Sequence, residues 1–389
     1  MKPASTPPLT SRLADLPPSG TIAVTGRVRE LRARGVDVVN LGGGLAEPSA
    51  PCLAEPIAFA ASCNVGGHPA GEADLRAALA SKLLRDQGLT YDPTSEIVVT
   101  TGAKQAVLPA LLSFLEHRDE VLVLDPCWVS YAPAIRLAGG VAVPVSLRAE
   151  DGFRLDASAF AQAVTPRTRA IVLNTPHNPT GRVFTSHELA GVAALARARD
   201  LWVLSDESFD KFVFDGHRHV SIATFDGMRS RTVVLQSFSK AFALPGLRVG
   251  YIAAPEALCA SIVRFNEHVI TCVSPLMQSV ALAALGDEAA WTAQLLERMR
   301  AKREVAAQAL ARIPLLRSTP CQGTFYAFAD VRGIEPSSQA FADRVLKAGV
   351  AVTPGIAFGA AAEGHVRINL VGPLTDIEEG LLRLQAALG

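Results

Sequence analysis

The segment SFSKAFALPGLRVG (237–250) places two hydroxyls, an amine and a guanidinium within a few residues of one another. Its lysine, Lys240, follows Ser237 and Ser239, and Arg248 comes one short loop later. The preceding VVLQ (233–236) is apolar, which is typical of a buried strand. Hydroxyls and a guanidinium can bind a phosphate there while the amine attacks a carbonyl. A lone lysine after a strand is usually a solvated loop residue, but this spacing favours a site.

Short apolar segments alternate with amphipathic ones from about residue 95 to 255. We expect six strands, namely IVVT (97–100), VLVLD (121–125), AIVLN (170–174), WVLSD (202–206), TVVLQ (232–236) and VGYIA (249–253). The alternation predicts an α/β fold with a mostly parallel sheet flanked by helices. Asn174, Asp206 and Ser237 fall at the carboxyl ends of strands, where such sheets bind ligands. One pocket is therefore expected to contain all three.

The alternation of apolar strands with amphipathic helices ends at about residue 290. A long charged helix (288–312) precedes the strand TFYAFAD (324–330), a helix, the strand HVRINL (365–370) and a last helix. This order predicts a smaller α+β domain.

Composition narrows the functional class. The 389 residues include 37 Lys plus Arg and 37 Asp plus Glu, so the formal net charge is zero. Nothing in this balance predicts a nucleic-acid or membrane partner, and no apolar run is long enough to span a bilayer. The six cysteines lack metal-ligand spacing, so no metal is expected. These features predict a cytoplasmic protein.

The lysine segment resembles the cofactor-binding motif of the pyridoxal-phosphate-dependent aminotransferases, class I/II, of the aspartate aminotransferase fold (fold type I). The resemblance implies pyridoxal 5'-phosphate, bound as a Schiff base on Lys240, and transfer of an amino group between an amino acid and a 2-oxo acid. It also implies a homodimer. On the family pattern, residues 46–286 form the large cofactor-binding domain, and residues 1–45 and 287–389 form the small domain with an N-terminal arm.

Two further segments fit the same pattern around the cofactor. TTGAKQAV (100–107) follows a predicted strand, so its backbone amides would open a helix and face an anion. SDESFD (205–210) places a carboxylate where the pyridine nitrogen is expected, although a helix N-cap is the alternative for this aspartate. The resemblance implies cofactor contacts for Gly102, Ala103, Lys104, Trp128, Asn178, Asp206, Phe209, Ser237, Ser239, Lys240 and Arg248.

The substrate carboxylate is assigned by resemblance as well. Arg367 in GHVRINL (364–370) would bind it through two hydrogen bonds, together with Asn178 of NTPHNPTG (174–181) and Gly44 of LGGG (41–44). Trp128 would stack on the cofactor ring, although a core tryptophan remains an equal alternative on sequence alone. Lys240 and Asp206 are the predicted catalytic residues.

The chain departs from the family pattern at two tyrosines. Phe209 and Gly66 stand where relatives have tyrosines that reach the cofactor's ring oxygen and phosphate. One interpretation is neutral drift. The other is a specialised reaction on the same cofactor, such as decarboxylation, β/γ-elimination or replacement, or cyclisation. A third possibility, a non-catalytic ligand-binding regulator, is disfavoured by the intact set of charged residues.

Overall fold

The computed structural model of the chain describes Leu13 and residues 15–43, 66–318 and 321–388. Its thirteen strands in these ranges are β1 (Val39–Asn40), β2 (Ile97–Thr100), β3 (Glu120–Asp125), β4 (Val141–Ser146), β5 (Thr168–Asn174), β6 (Trp202–Asp206), β7 (Thr232–Ser237), β8 (Gly250–Ala253), β9 (Arg317–Ser318), β10 (Tyr326–Asp330), β11 (Val350–Ala351), β12 (Thr353–Pro354) and β13 (His365–Asn369). The twelve α-helices in the same ranges are α1 (Gly20–Ala33), α2 (Ala73–Gln87), α3 (Gly102–Leu112), α4 (Tyr131–Leu137), α5 (Ala157–Ala163), α6 (Ser186–Ala198), α7 (Phe238–Ala241), α8 (Glu256–Val269), α9 (Pro275–Gly286), α10 (Glu288–Ala311), α11 (Ser338–Lys347) and α12 (Leu374–Leu388).

Seven strands form the main sheet in the order β2-β8-β7-β6-β5-β3-β4. β8 runs antiparallel to both of its neighbours, and the remaining pairs are parallel. Because β3, β5, β6 and β7 pair in parallel, their carboxyl ends lie along one edge. The predicted α/β fold with a mostly parallel sheet is confirmed.

Alternate residues of the central strands pack against helices on opposite faces of this sheet, as the two-residue period of a strand requires. Val99 and Val234 join the side chains of α2 in one apolar cluster. Val98 and Val233 join α3 and α8 in another. Because both faces are buried, these strands read as continuous apolar runs in the sequence.

Two smaller sheets accompany the main one, and the first is the parallel pair β1-β11. β12, β13, β10 and β9 form an antiparallel sheet in that order. Its apolar face packs against Leu310 of α10, Phe341 of α11 and Leu381 of α12. The smaller α+β unit was thus predicted correctly, while the domain bounds of 46–286 against 1–45 and 287–389 stay a prediction. Among the described helices, none is both long and apolar enough to cross a membrane.

Candidate active site

A cavity of about 560 Å³ lies at the carboxyl ends of the central strands. Most of the site residues predicted from the sequence line it, namely Ala103, Lys104, Trp128, Asn178, Asp206, Phe209, Ser237, Ser239, Lys240, Arg248 and Arg367. Asn174, the third strand-end residue, lines it too. The expectation that one pocket collects these groups therefore agrees with the structure.

One end of the cavity is suited to bind a phosphate. Gly102 begins α3 with a φ of 71°, a left-handed conformation that favours glycine. A Cβ at this position would lie 2.7 Å from Nη2 of Arg248, so the guanidinium packs directly on the glycine. Ser237 caps α7, where its Oγ accepts from the amide of Ser239 at 3.1 Å. Backbone amides, a hydroxyl and a guanidinium thus face the same space, as anion binding requires.

Lys240 lies in the short helix α7 and is half-buried. Its Nζ is 5.5 Å from the ring centroid of Phe209 and 5.2 Å from that of Phe325. Both rings are buried and pack edge to face at 5.1 Å. The amine therefore lies beside this pair of rings, at the distance of cation–π contacts with both.

Asp206 ends β6 and is almost fully buried. Its Oδ2 accepts from the Tyr131 hydroxyl at 2.7 Å, and its Oδ1 accepts from the amide of Ser208 at 3.1 Å. Burial raises the pKa of this carboxyl, while the hydrogen bonds from Ser208 and Tyr131 and the charge of Lys240 act against the rise. A cationic N–H placed against Asp206 would favour the ionised carboxylate further.

A chain of hydrogen bonds links the sheet to Arg367. Nδ2 of Asn174 donates to the backbone oxygen of Asp206 at 2.9 Å, and Oδ1 of Asn174 accepts from the amide of Asn178 at 2.8 Å. Oδ1 of Asn178 then accepts from Nη1 of Arg367 at 2.9 Å. The asparagine loop is thereby held between the two charged groups of the site.

The guanidinium of Arg367 lies between two aromatic rings, 4.0 Å from the centroid of Tyr326 and 4.6 Å from that of Phe358. Burial lowers the pKa of Arg367, and the charge of Tyr326 acts against this change. Its Nε is buried and has no hydrogen-bond partner in the described residues. A buried donor of this kind is costly unless a ligand pairs with it, and a carboxylate fits the fork.

Trp128 packs edge to face on Tyr131, with ring centroids 5.2 Å apart. Nζ of Lys104 lies 5.4 Å from the Trp128 ring centroid. Burial and the nearby charge of Arg248 lower the pKa of Lys104. The tryptophan therefore lines the cavity with one cation over its ring, and its stacking on the cofactor stays a prediction.

Three other positions were singled out from the sequence, namely Gly44, Gly66 and Phe209. Gly44 is outside the residues that the structure describes, so its contact with the substrate carboxylate stays a prediction. Gly66 is exposed, and a Cβ there would meet nothing within 4 Å. Phe209 lies in the site as expected and is buried among other aromatic rings.

The sequence interpretation missed several residues that line the cavity, chiefly Tyr131, Ser208, Phe325, Tyr326 and Arg29. Tyr131 is only three residues from Trp128, and this proximity was the signal that could have found it. Arg29 lies on α1, far away in the chain, and no local pattern connects it with the site.

The side chains fit pyridoxal phosphate. Arg248, Ser237 and the start of α3 suit its phosphate, Asp206 suits a protonated ring nitrogen, and Lys240 supplies an amine for its aldehyde. Two observations favour bound anions at the two ends of the cavity. At the phosphate end, a Cβ on Gly102 would fill the space beside Arg248, and at the other end Nε of Arg367 has no partner among the described residues.

The chain is similar to known aminotransferases along most of its length. A family model described as "Aminotransferase class I and II" matches residues 47–384. The aromatic-amino-acid aminotransferase 2 of Thermococcus litoralis is 41% identical over 323 residues, which are 82% of each chain. The aspartate aminotransferase of Pyrococcus abyssi is 38% identical over 90% of this chain and 92% of its own length. The structure of the aspartate aminotransferase from Thermus thermophilus with maleate superimposes with a TM-score of 0.93 at 34% identity, covering 98% of this chain and 100% of that one.

Proposed function

Since the chain belongs to the class I and II aminotransferases, we propose that Lys240, Asp206 and Arg367 are the residues with which it moves an amino group from an amino acid to a 2-oxo acid. It is a pyridoxal-phosphate-dependent enzyme, and its relatives are named as aminotransferases, which supports transamination as its reaction. The observation that carries the assignment of residues is that an amine, a buried carboxylate and a buried guanidinium line one cavity.

Pyridoxal phosphate supplies, when bound, an aldehyde that takes up amines and a ring that accepts the electrons released at the substrate's Cα. Arg248, Ser237 and the amides at the start of α3 would bind its phosphate. Asp206 would pair with its ring nitrogen, with the carboxylate oriented by Tyr131 and Ser208. The face of Trp128 would support the ring from one side.

Arg367 orients the substrate. Its Nη1 is already held by Asn178, which leaves Nη2 and the unpaired Nε to donate to the two oxygens of the α-carboxylate. The rings of Tyr326 and Phe358 fix the plane of the guanidinium and exclude water from it. A fixed, desolvated fork of this kind reduces the cost of orienting the substrate at the moment of reaction.

Lys240 then moves the proton. Its Nζ would take the proton from the substrate's Cα and return it to the carbon that the cofactor's aldehyde supplies, two atoms away, across the amino nitrogen. The rings of Phe209 and Phe325 beside Nζ restrict where the amine can lie. Phe209 offers no hydroxyl to the cofactor's ring oxygen, so Asn178 is the side chain in the described cavity that we assign to that oxygen.

The homodimer and the cytoplasmic location are also part of this proposal. The homodimer is supported by the resemblance alone, and light scattering of the purified protein would test it. A monomer that is fully active would contradict it.

The reaction type is tested by a half-reaction. Protein loaded with pyridoxal phosphate is mixed with an amino acid in the absence of any 2-oxo acid. We expect about one equivalent of 2-oxo acid per subunit, after which product formation stops until an acceptor 2-oxo acid is added. Product that continues to form without an acceptor would instead support decarboxylation, elimination or cyclisation, the alternatives raised by Phe209 and Gly66. A protein that takes up no cofactor would support the non-catalytic regulator.

A further inference from the structure

The turn between β12 and β13 (residues 355–364) is attached to the end of β3. Asp125, the last residue of β3, accepts from the amide of Ala361 through Oδ1 at 3.2 Å and through Oδ2 at 3.3 Å. Two residues later, the amide of Cys127 donates to the backbone oxygen of Phe358 at 2.9 Å. β3 belongs to the seven-stranded sheet, whereas β12 and β13 belong to the antiparallel sheet. These hydrogen bonds therefore join the two sheets.

The carboxylate of Asp125 lies directly against the backbone of this turn. Gly359 has a φ of 133°, and a Cβ on it would overlap Oδ1 of Asp125. Burial raises the pKa of Asp125, while hydrogen bonds from the amides of Ala361 and Ala360 act against the rise. Asp125 forms no ion pair with a described residue. Its carboxylate thus has one evident task, which is to hold the backbone of the turn.

The turn places Phe358 on the guanidinium of Arg367. Phe358 is 3% exposed, and its ring centroid lies 4.6 Å from Cζ of Arg367. The ring on the other side, Tyr326, lies on β10 and is fixed by pairing with Asn369 of β13. Phe358 has no such strand pairing, so its position depends on how the turn is held. Asp125 and Cys127 supply that attachment from the main sheet.

We propose that Asp125 is a positioning residue that acts through Phe358 to keep the guanidinium of Arg367 oriented for the substrate's α-carboxylate. The proposal rests on the role proposed above for Arg367 and adds a residue outside the described cavity wall. Without the carboxylate, the turn loses its bond to β3, and Phe358 no longer packs firmly on Arg367. Water then competes for the guanidinium, and orienting the substrate becomes more costly.

Substrate affinity and turnover respond differently if this is correct. We expect Asp125→Ala to raise KM for the amino acid and the 2-oxo acid by about 10-fold, the size of one desolvated cation–π contact, and to leave kcat within about threefold. Asp125→Asn keeps one acceptor oxygen and should show a smaller rise in KM. The affinity for pyridoxal phosphate should stay within about twofold of wild type.

A binding measurement separates this effect from catalysis. The probe is α-methylaspartate or α-methylphenylalanine, whichever has the parent amino acid that the wild type turns over faster. Either probe carries the α-carboxylate but no proton at Cα that could be removed. Its Kd, titrated by the absorbance of the bound cofactor, should rise in Asp125→Ala by the same factor as KM.

Asp156→Ala is the matched control, because Asp156 also accepts from a backbone amide, that of Ser158 at 2.9 Å, but does not line the described cavity. Its KM should stay within about twofold of wild type. Phe358→Leu should raise KM about as much as Asp125→Ala does, and the double variant should show little further rise, because both substitutions disturb the same contact.

Four results would each overturn the proposal. They are an unchanged KM in Asp125→Ala, an equal rise in Asp156→Ala, rises that multiply in the double variant, and weaker cofactor binding with KM unchanged, which would place the effect at Trp128. If Asp125→Ala does not fold, Asp125→Asn gives the same comparisons. An unchanged KM in Arg367→Lys would instead contradict the role of Arg367 itself, so the two failures are distinguishable.

Discussion

Replacing Tyr131 with phenylalanine removes one hydroxyl from the active site and keeps the ring. The side chain is buried, and its Oη donates to Oδ2 of Asp206 at 2.7 Å. The edge-to-face contact with Trp128 at 5.2 Å does not involve the hydroxyl, so phenylalanine preserves it. The substitution therefore isolates one hydrogen bond to the carboxylate that we propose to pair with the cofactor's ring nitrogen.

The size of the effect follows from the kind of hydrogen bond. A bond to a charged group contributes about 1.5 to 3 kcal/mol. At about 1.4 kcal/mol for each factor of ten, kcat/KM should fall by roughly 10- to 150-fold. The pKa of Asp206, already raised by burial, should rise further because its ionised form loses a donor.

Tyr251→Phe is the matched control for this measurement. Tyr251 is buried on β8, and its hydroxyl has no hydrogen-bond partner among the described residues. Steady-state kinetics with one amino acid and one 2-oxo acid should show kcat/KM of Tyr251→Phe within about twofold of wild type, since no hydrogen bond is lost. The reasoning is refuted if Tyr131→Phe is equally close to wild type, or if both variants lose the same activity.

Two other perturbations follow from the structure. Gly102→Ala should weaken binding of pyridoxal phosphate by about 10-fold or more, because its Cβ would lie 2.7 Å from Nη2 of Arg248. Gly88→Ala is the control, because Gly88 also has a positive φ but its added Cβ would meet nothing within 4 Å. An equal loss of affinity in Gly88→Ala, measured by cofactor titration, would contradict this explanation. Burial alone would lower the pKa of His219, but the charge of Glu207, with Oε2 3.0 Å from Nε2, outweighs it and leaves the pKa raised. This pair therefore stabilises the fold fully below the unfolded-state pKa of about 6.5, and the contribution is lost as the pH rises through the folded value. Denaturant unfolding across this range should show a steeper loss above about pH 6.5 in wild type than in His219→Gln, and parallel curves would count against it.

The strands of the main sheet were largely predictable because burial on both faces leaves apolar, β-branched runs. β4 was missed for a physical reason. It is an edge strand, paired on one side only, and it contains Pro144. Edge strands with proline and exposed residues lack the apolar run that marks a buried strand.

The site was predictable where its residues share one local motif, as Ser237, Lys240 and Arg248 do. Tyr131 and Arg29 show why the other residues of the site could not be predicted from the sequence. The hydroxyl of Tyr131 contacts Asp206 because the fold brings β6 to it, and Arg29 lines the cavity because α1 turns one face toward it. Neither relation is encoded in local spacing, because both depend on the packing of elements that are distant in the chain.

The central claim concerns the amine of Lys240, and chemical trapping tests it most directly. Holoenzyme is treated with borohydride, which fixes the cofactor on the amine that carries it, and the digested peptides are mapped by mass spectrometry. We expect the label on Lys240 alone and its loss in Lys240→Ala, with Lys104, the other lysine on the described cavity wall, left unmodified. A label on Lys104, or no label in a holoenzyme that still turns over, would contradict the account.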